Sequence, residues 1–366
     1  MDSIIQNAVA SAQVEKPTMH SKDDEELLAV LKQHQARIKV IGVGGGGNNT
    51  LERIDEIGVE GAKTIAVNTD AQDLIDTKAD KKILIGKELT RGLGAGAVPN
   101  VGAEAAKESE ADLKKALADS DMIFITSGMG GGTGTGAAPV IAEMAKKSGA
   151  LVVGVVTVPF AMEGSRRYEN AMIGLERMEK HVDTLIVIPN EKLLEIAPNL
   201  PLHTAFKLAD EVLTNAVKGI TELVTKSGLI NLDFADIKTV MTGAGMAMIG
   251  LGESDSENRS EESVERALNN PLLDVELSGA SGALVNVTGG PDMTLEDARK
   301  IVAKVSETLD EDAKIIWGAQ IMDDLNKVVK TMVVITGVKS EQIRGRKRVE
   351  EMNEQLDADL GLEFIR

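Results

Sequence analysis

Residues Gly130 to Gly136 read Gly-Gly-Gly-Thr-Gly-Thr-Gly. Five glycines leave backbone N–H groups unshielded, and two threonine hydroxyls add further donors. The run follows the apolar stretch Met122–Ser127 and precedes Ala137-Ala138-Pro139-Val140-Ile141, an order that predicts strand, glycine loop, then helix start. Pro139 suits a first helical turn. A helix N-terminus behind such a loop carries roughly half a positive charge, so the chemistry on offer is the binding of an anion such as a polyphosphate. A tight turn alone needs far fewer glycines.

A second run strengthens this reading. Gly44 to Gly47, followed by Asn48 and Asn49, comes after the apolar strand Arg37 to Val43, and helical spacing resumes at Leu51, Ile54 and Ile57. Alone it is a weak dinucleotide-type fingerprint, which a strand–helix turn without ligand also explains. Two such loops on strands of one sheet are harder to dismiss. Asn68 and Asp70 follow a third strand, Lys63 to Val67, at the end of a parallel strand where ligands bind in open α/β sheets.

The elements that must position these loops alternate apolar strands with helical segments, the pattern of a parallel doubly wound sheet. Strands are predicted at 37–43, 63–67, 82–85, 122–126, 151–158 and 184–188. A long helix at about 203–226 is predicted from Phe206, Ala209, Leu213, Ala216, Ile220 and Leu223, with Gly228 as its C-terminal stop. Strands near 244–250, 282–288, 313–318 and 328–336, with helices near 259–269 and 294–308, read as a second, smaller α/β part. Thr294 with Asp297 resembles a capping box. The first 36 residues read as a loose arm with one short helix. From Lys339 the chain turns charged, ending on Leu360, Leu362, Phe364 and Ile365.

Composition narrows the function. The 366 residues contain no cysteine, which removes disulfides, thiolate metal sites and cysteine nucleophiles, and the four histidines are scattered. A formal net charge of −18 argues against a nucleic-acid partner. No apolar run reaches the length of a membrane span, and the N-terminus does not read as a signal peptide.

In this order the motifs resemble the FtsZ family of tubulin-like cell-division GTPases, over about Arg37 to Val338, with wording closest to archaeal members. The resemblance implies a GTP-binding domain at 37–202, a central helix at 203–227 and a C-terminal domain at 228–338, flanked by the arm at 1–36 and a tail at 339–366. It implies GTP or GDP held by Gly45, Gly46, Gly47, Asn48 and Asn49 in the first phosphate loop. Asp70, a third loop with Gly94, Ala95 and Gly96, and the signature loop with Gly131, Gly132, Thr133, Gly134 and Thr135 complete the phosphate contacts. Glu163 and Arg167 match ribose contacts, Asn190 a nucleoside contact, Phe206 the guanine stack and Asp210 the acceptor for guanine N1 and N2. Asn231, Asp233 and Asp236 match the catalytic loop. Mg2+ is expected to be held mainly by phosphates and water. Val98 stands where many relatives carry Asn, and Asn48 replaces a glycine of many bacterial members.

Each residue also has a plainer reading. Asp210 could be a surface carboxylate, although a carboxylate does accept two donors at once, as guanine recognition needs. Phe206 could be core. Glu163 and Arg167, four apart, could be an intrahelical ion pair. Asp233 could cap a helix with Asp236 at its third position. Length decides one point. From Asp210 to Lys226 a straight helix runs about 24 Å at 1.5 Å per residue, which keeps the two acids off their own chain's nucleotide. If they are catalytic they act on a neighbour, and such a contact builds a ring or a filament. The expected partners are therefore further copies of the chain, and, through the tail, a membrane adaptor of SepF type, at the mid-cell division site in the cytoplasm. A nicotinamide-dependent oxidoreductase would leave the Gly130 loop idle, and a non-hydrolysing scaffold would use the acids only as caps.

Overall fold

The computed structural model describes residues 36–196, 201–226, 228–230, 232–273 and 280–338. The expected N-terminal helix, the apolar end of the tail and Asn231 lie outside them. All ten expected strands form: β1 (Ile38–Val43), β2 (Ala62–Asn68), β3 (Lys81–Leu84), β4 (Met122–Gly128), β5 (Leu151–Val158), β6 (Thr184–Pro189), β7 (Gly245–Ser254), β8 (Gly282–Gly289), β9 (Lys314–Ile321) and β10 (Val329–Thr336). They make one sheet in the order β3-β2-β1-β4-β5-β6-β7-β10-β8-β9. Pairing is parallel from β3 through β7, while β10 runs antiparallel between β7 and β8. All of β5 is buried, as a parallel strand covered on both faces must be. β7 runs four residues beyond its expected end because its pairing with β10 continues to Ser254.

Strand order reverses between β1 and β4, and the two glycine runs sit at that switch point. Five helices bear on the site: α1 (Gly44–Ile57), α2 (Thr133–Lys147), α3 (Ser165–Glu179), α4 (Leu202–Thr225) and α5 (Phe234–Met241). α1 and α2 begin inside the glycine runs, so most of those glycines form first helical turns rather than loops ahead of them. Pro139 consequently lies inside α2 and not in its first turn. The reason is close approach. Gly44 adopts φ +72°, and a Cβ there would lie 2.9 Å from the backbone nitrogen of Gly134. The two helix starts touch backbone to backbone, which side chains would prevent.

α4 buries Ala209, Leu213, Ala216, Ile220 and Leu223 against strands of both halves of the sheet, including Phe124 and Val153 on one side and Leu284 and Val334 on the other. Its C-terminus differs from expectation. Lys226 is extended, and Gly228 does not serve as a left-handed stop. Gly228 instead passes so close to β9 that a Cβ would sit 2.5 Å from the Ala319 carbonyl oxygen. The C-terminal strands join the first six at a narrow seam, β6 pairing with β7 only from Thr184↔Gly245 to Ile186↔Ala247. They bury a core of their own with Val264, Val285, Ile301, Val305 and Val333. Thr294 and Asp297 form the expected reciprocal cap.

A nucleotide-shaped cleft and a distant acidic loop

A cleft of about 560 Å3 opens at the C-terminal edge of β1, β2, β4, β5 and β6. Its floor is made by the first turns of α1 and α2, through Gly45, Gly46, Asn49, Gly131, Gly132, Thr133 and Gly134. Unpaired N–H groups of a helix start are the donors such a floor offers an anion. Asp70 and the segment Gly94–Gly96 form one wall, and Glu163, Arg167, Asn190, Phe206 and Asp210 form the other. Gly47, Asn48 and Thr135 stand behind the surface. Asn48 is 1% exposed, and the Thr135 hydroxyl accepts from the Gly130 backbone at 2.8 Å, tying the glycine run to its own helix.

The far wall is built for a planar group. Phe206 is 39% exposed into the cleft, whereas Phe160 beneath it is 1% exposed. Their centroids are 5.2 Å apart at 89°, a T-shaped pair that props the upper ring while leaving part of it exposed. One turn on, burial pushes the Asp210 carboxyl up to about 7, with the Glu52 charge adding to the rise and the Thr50 hydroxyl opposing it. Asn190 is 5% exposed and its Oδ1 has no hydrogen-bond partner among the described residues. A buried, unpartnered amide oxygen in a cleft wall is the mark of a group that a ligand completes.

Glu163 and Arg167 do form an ion pair. They do not share a helix: Glu163 closes a short 3-10 turn, Ala161–Glu163, and Gly164 at φ +99° separates it from α3. The Glu163 Oε1 accepts from the Phe160 backbone at 2.9 Å, which anchors the pair beside the aromatic shelf.

The lining carries four carboxylates, Asp70, Asp73, Glu163 and Asp210, against one guanidinium, Arg167. A polyphosphate there is held by backbone N–H groups and helix dipoles, and its charge calls for an accompanying cation. Asp73, Thr157 and Met129 line the cleft without having been singled out in the sequence. For Asp73 a signal was present, three residues after Asp70 at a strand end; the other two carry none.

The acids Asp233 and Asp236 are exposed and lie elsewhere. Asp233 occupies the N-cap of α5 but makes no side-chain cap bond. Phe234 and Lys238 of α5 share a surface hollow with Arg37, Asp121 and Gly149, residues that precede β1, β4 and β5. The acids therefore belong to the N-terminal edge of the parallel sheet, opposite the cleft. The 7 residues of β4 separate the two edges by about 23 Å. The 24 residues of α4 span about 36 Å.

This sheet, with glycine-rich helix starts at its switch point and an aromatic shelf beside a carboxylate, defines a nucleoside-polyphosphate-binding protein of tubulin-like build. Residues 37–198 match the model of the Tubulin/FtsZ family, GTPase domain, and residues 245–339 that of the FtsZ family, C-terminal domain. The chain is 64% identical over 320 residues to the cell division protein FtsZ 1 of Methanocaldococcus jannaschii, covering 87% of this chain and 88% of that one. It is 54% identical to FtsZ 1 of Archaeoglobus fulgidus over an aligned span of 371 positions that covers 100% of each chain. A solved M. jannaschii FtsZ dimer superposes with a TM-score of 0.83 over 87% of this chain and 92% of that one, at 64% identity. CetZ2 of Haloferax volcanii, at 21% identity and a TM-score of 0.73 over 87% and 99%, shares the fold. The chain belongs to the FtsZ family, the tubulin-like GTPases of cell division.

Proposed function

We propose that this chain binds GTP as a monomer and hydrolyses it only when a second copy docks head to tail, bringing Asp233 and Asp236 over the first copy's cleft. The separation of the acids from the cleft, at opposite edges of one sheet, carries this reading. Residues 37–202 would bind the nucleotide, 203–227 would span to the acids, and 228–338 would present them. Phe206 stacks the guanine, Asp210 accepts from its N1 and N2, and Asn190, Glu163 and Arg167 meet the ribose and base. The glycine-rich turns at Gly45–Asn49, Gly94–Gly96 and Gly131–Thr135, with Asp70, surround the phosphates. The missing positive charge would come from Mg2+, expected to be held mainly by phosphate oxygens and water. Asp233 and Asp236, with Asn231 of the same sequence motif, orient a water and take its proton as its oxygen bonds to the γ-phosphorus and the bond to the β–γ bridging oxygen breaks. The products are GDP and phosphate.

The contact is heterologous, so it repeats as a filament. The solved M. jannaschii FtsZ dimer supports self-association. Among the described residues no helix is long and apolar enough to cross a membrane. On the family's role in cell division we propose that the filament forms in the cytoplasm at mid-cell, held to the membrane by an adaptor of SepF type that takes the tail. Light scattering of the purified chain should rise on adding GTP with Mg2+ and decay as GTP is spent. Phosphate release per chain should fall on dilution; a specific activity independent of concentration would refute a shared site.

A further inference from the structure

The glycine-rich segments of the cleft come from three stretches of sequence, yet one turn, Asn68–Thr69–Asp70 at the end of β2, is tied to two of them directly and to the third through Asp73. The Thr69 hydroxyl lies 2.6 Å from the Thr133 hydroxyl at the start of α2. The Thr69 carbonyl accepts from Gly94 N at 3.1 Å, and Asp70 bridges to Leu93 in the third segment. Toward the first segment the link runs through Asp73. Its Oδ2 accepts from Asn48 Nδ2 in α1 and from Asn68 Nδ2, each at 2.6 Å.

Those two bonds orient both amides. Asn48 and Asn68 are 1% and 3% exposed, so both lean on protein partners for their hydrogen bonds. With its nitrogen committed to Asp73, Asn68 turns its Oδ1 to Thr69 N at 2.8 Å and Asp70 N at 3.3 Å. Asp70 closes the circuit, its Oδ1 accepting from Asp73 N at 3.3 Å. The Asn48 Oδ1 has no partner among the described residues, which leaves Asp73 as the anchor of that side chain.

Asp73 nevertheless lines the cleft, close to the first glycine turn. A carboxylate beside a polyphosphate repels it. Its electrostatic effect and its hydrogen bonds therefore pull in opposite directions, and the geometry decides between them. Two short bonds to buried amides, each charge-assisted, hold two cleft segments together.

We propose that Asp73 is a positioning residue for the polyphosphate. By tying the first turn of α1 to the β2 turn, it sets the spacing at which N–H groups of all three segments converge. This rests on the reading of the cleft as a GTP site.

The test is calorimetric titration of the full chain with GTP and with guanosine, with Mg2+ present and the chain kept below its assembly concentration. Asp73→Ala should weaken GTP binding about tenfold or more, the equivalent of ~1.4 kcal/mol, and leave guanosine unchanged. Asp73→Asn, whose amide oxygen can still accept, should restore most of the loss. Asn48→Ala breaks the same tie without altering any charge, and should lose GTP affinity to a similar extent even if Asp73→Ala does not fold. GTP bound equally or more tightly by Asp73→Ala would mean that repulsion outweighs the tie and would overturn the inference. So would unchanged GTP binding by Asn48→Ala, or an equal loss of guanosine. Failure of the unaltered chain to bind GTP would instead remove the GTP reading beneath it.

Discussion

The two edges of the sheet are finished to different degrees. At the C-terminal edge most of the residues expected to hold a nucleotide converge in one cleft, with Phe206 packed perpendicular to Phe160 and Asn190 buried with an unpartnered acceptor. At the N-terminal edge Asp233 and Asp236 stand exposed on a helix start, without a cap bond to hold the first of them. One edge is preorganised for binding. The other offers groups able to move a proton, with nothing of its own chain to move it from. On the proposed reading, the difference separates affinity, complete in one copy, from chemistry, which needs two.

The largest effects should come from breaking that division of labour. Asp233→Ala and Asp236→Ala should each lower phosphate release by about 10²–10⁴-fold, the range for loss of a general base, with GTP affinity unchanged. A mixture sharpens the comparison. Asp233→Ala copies keep an intact cleft, and Asp210→Ala copies keep intact acids. Mixed one to one with GTP, they should release phosphate faster than the sum of the two alone. Strict additivity would mean that cleft and acids serve the same copy.

A smaller effect is expected within the cleft edge. Asp210→Asn exchanges an acceptor for a donor toward guanine, and should cost about 10- to 100-fold in GTP affinity, with discrimination against other bases lost. The carboxyl also makes binding depend on pH. Its folded pKa, about 7, is raised above its ordinary 3.8, so the empty cleft holds the proton more tightly than the unfolded chain does. The free fold therefore loses stability as pH rises from about 4 to 7. Guanine donors need the ionised form, so GTP affinity should fall as pH drops below about 7, by up to tenfold per unit. Titrations at stepwise pH should find this slope in the unaltered chain and not in Asp210→Asn; equal slopes would place the proton elsewhere.

Much of both edges was legible because it repeats along the chain. Strand alternation placed all ten strands, and glycine spacing placed the cleft floor. Helical spacing placed Phe206 and Asp210 at one end of α4, far enough from Asp233 to imply a second copy. What the sequence concealed depends on contacts between distant residues. Asp73 matters through a 2.6 Å bond to Asn48, twenty-five positions away, and no periodicity records it. Gly228 looked like a helix stop, but its lack of a side chain serves the approach to Ala319. The helix starts begin inside the glycine runs because the two runs pack on each other, a fact about their meeting and not about either alone. The ion pair of Glu163 and Arg167 was visible at its spacing of four, but not the Gly164 break that takes it off the helix.

The smallest effect should be the most selective. The Phe160 ring packs under Phe206 and does not itself line the cleft, and an edge-to-face pair contributes about 0.5–1.5 kcal/mol beyond its buried area. Phe160→Leu keeps an apolar filler under the shelf but lets the upper ring turn. Affinity for GTP and for guanosine should drop together by about two- to tenfold, since both carry the base that would stack on Phe206. Phosphate release at saturating GTP should stay unchanged, because the acids lie at the other edge and act on a nucleotide already seated. A fall in that saturated rate, with affinity intact, would mean that the shelf and the acidic loop are mechanically coupled through α4, and the separation of binding from chemistry would have to be redrawn.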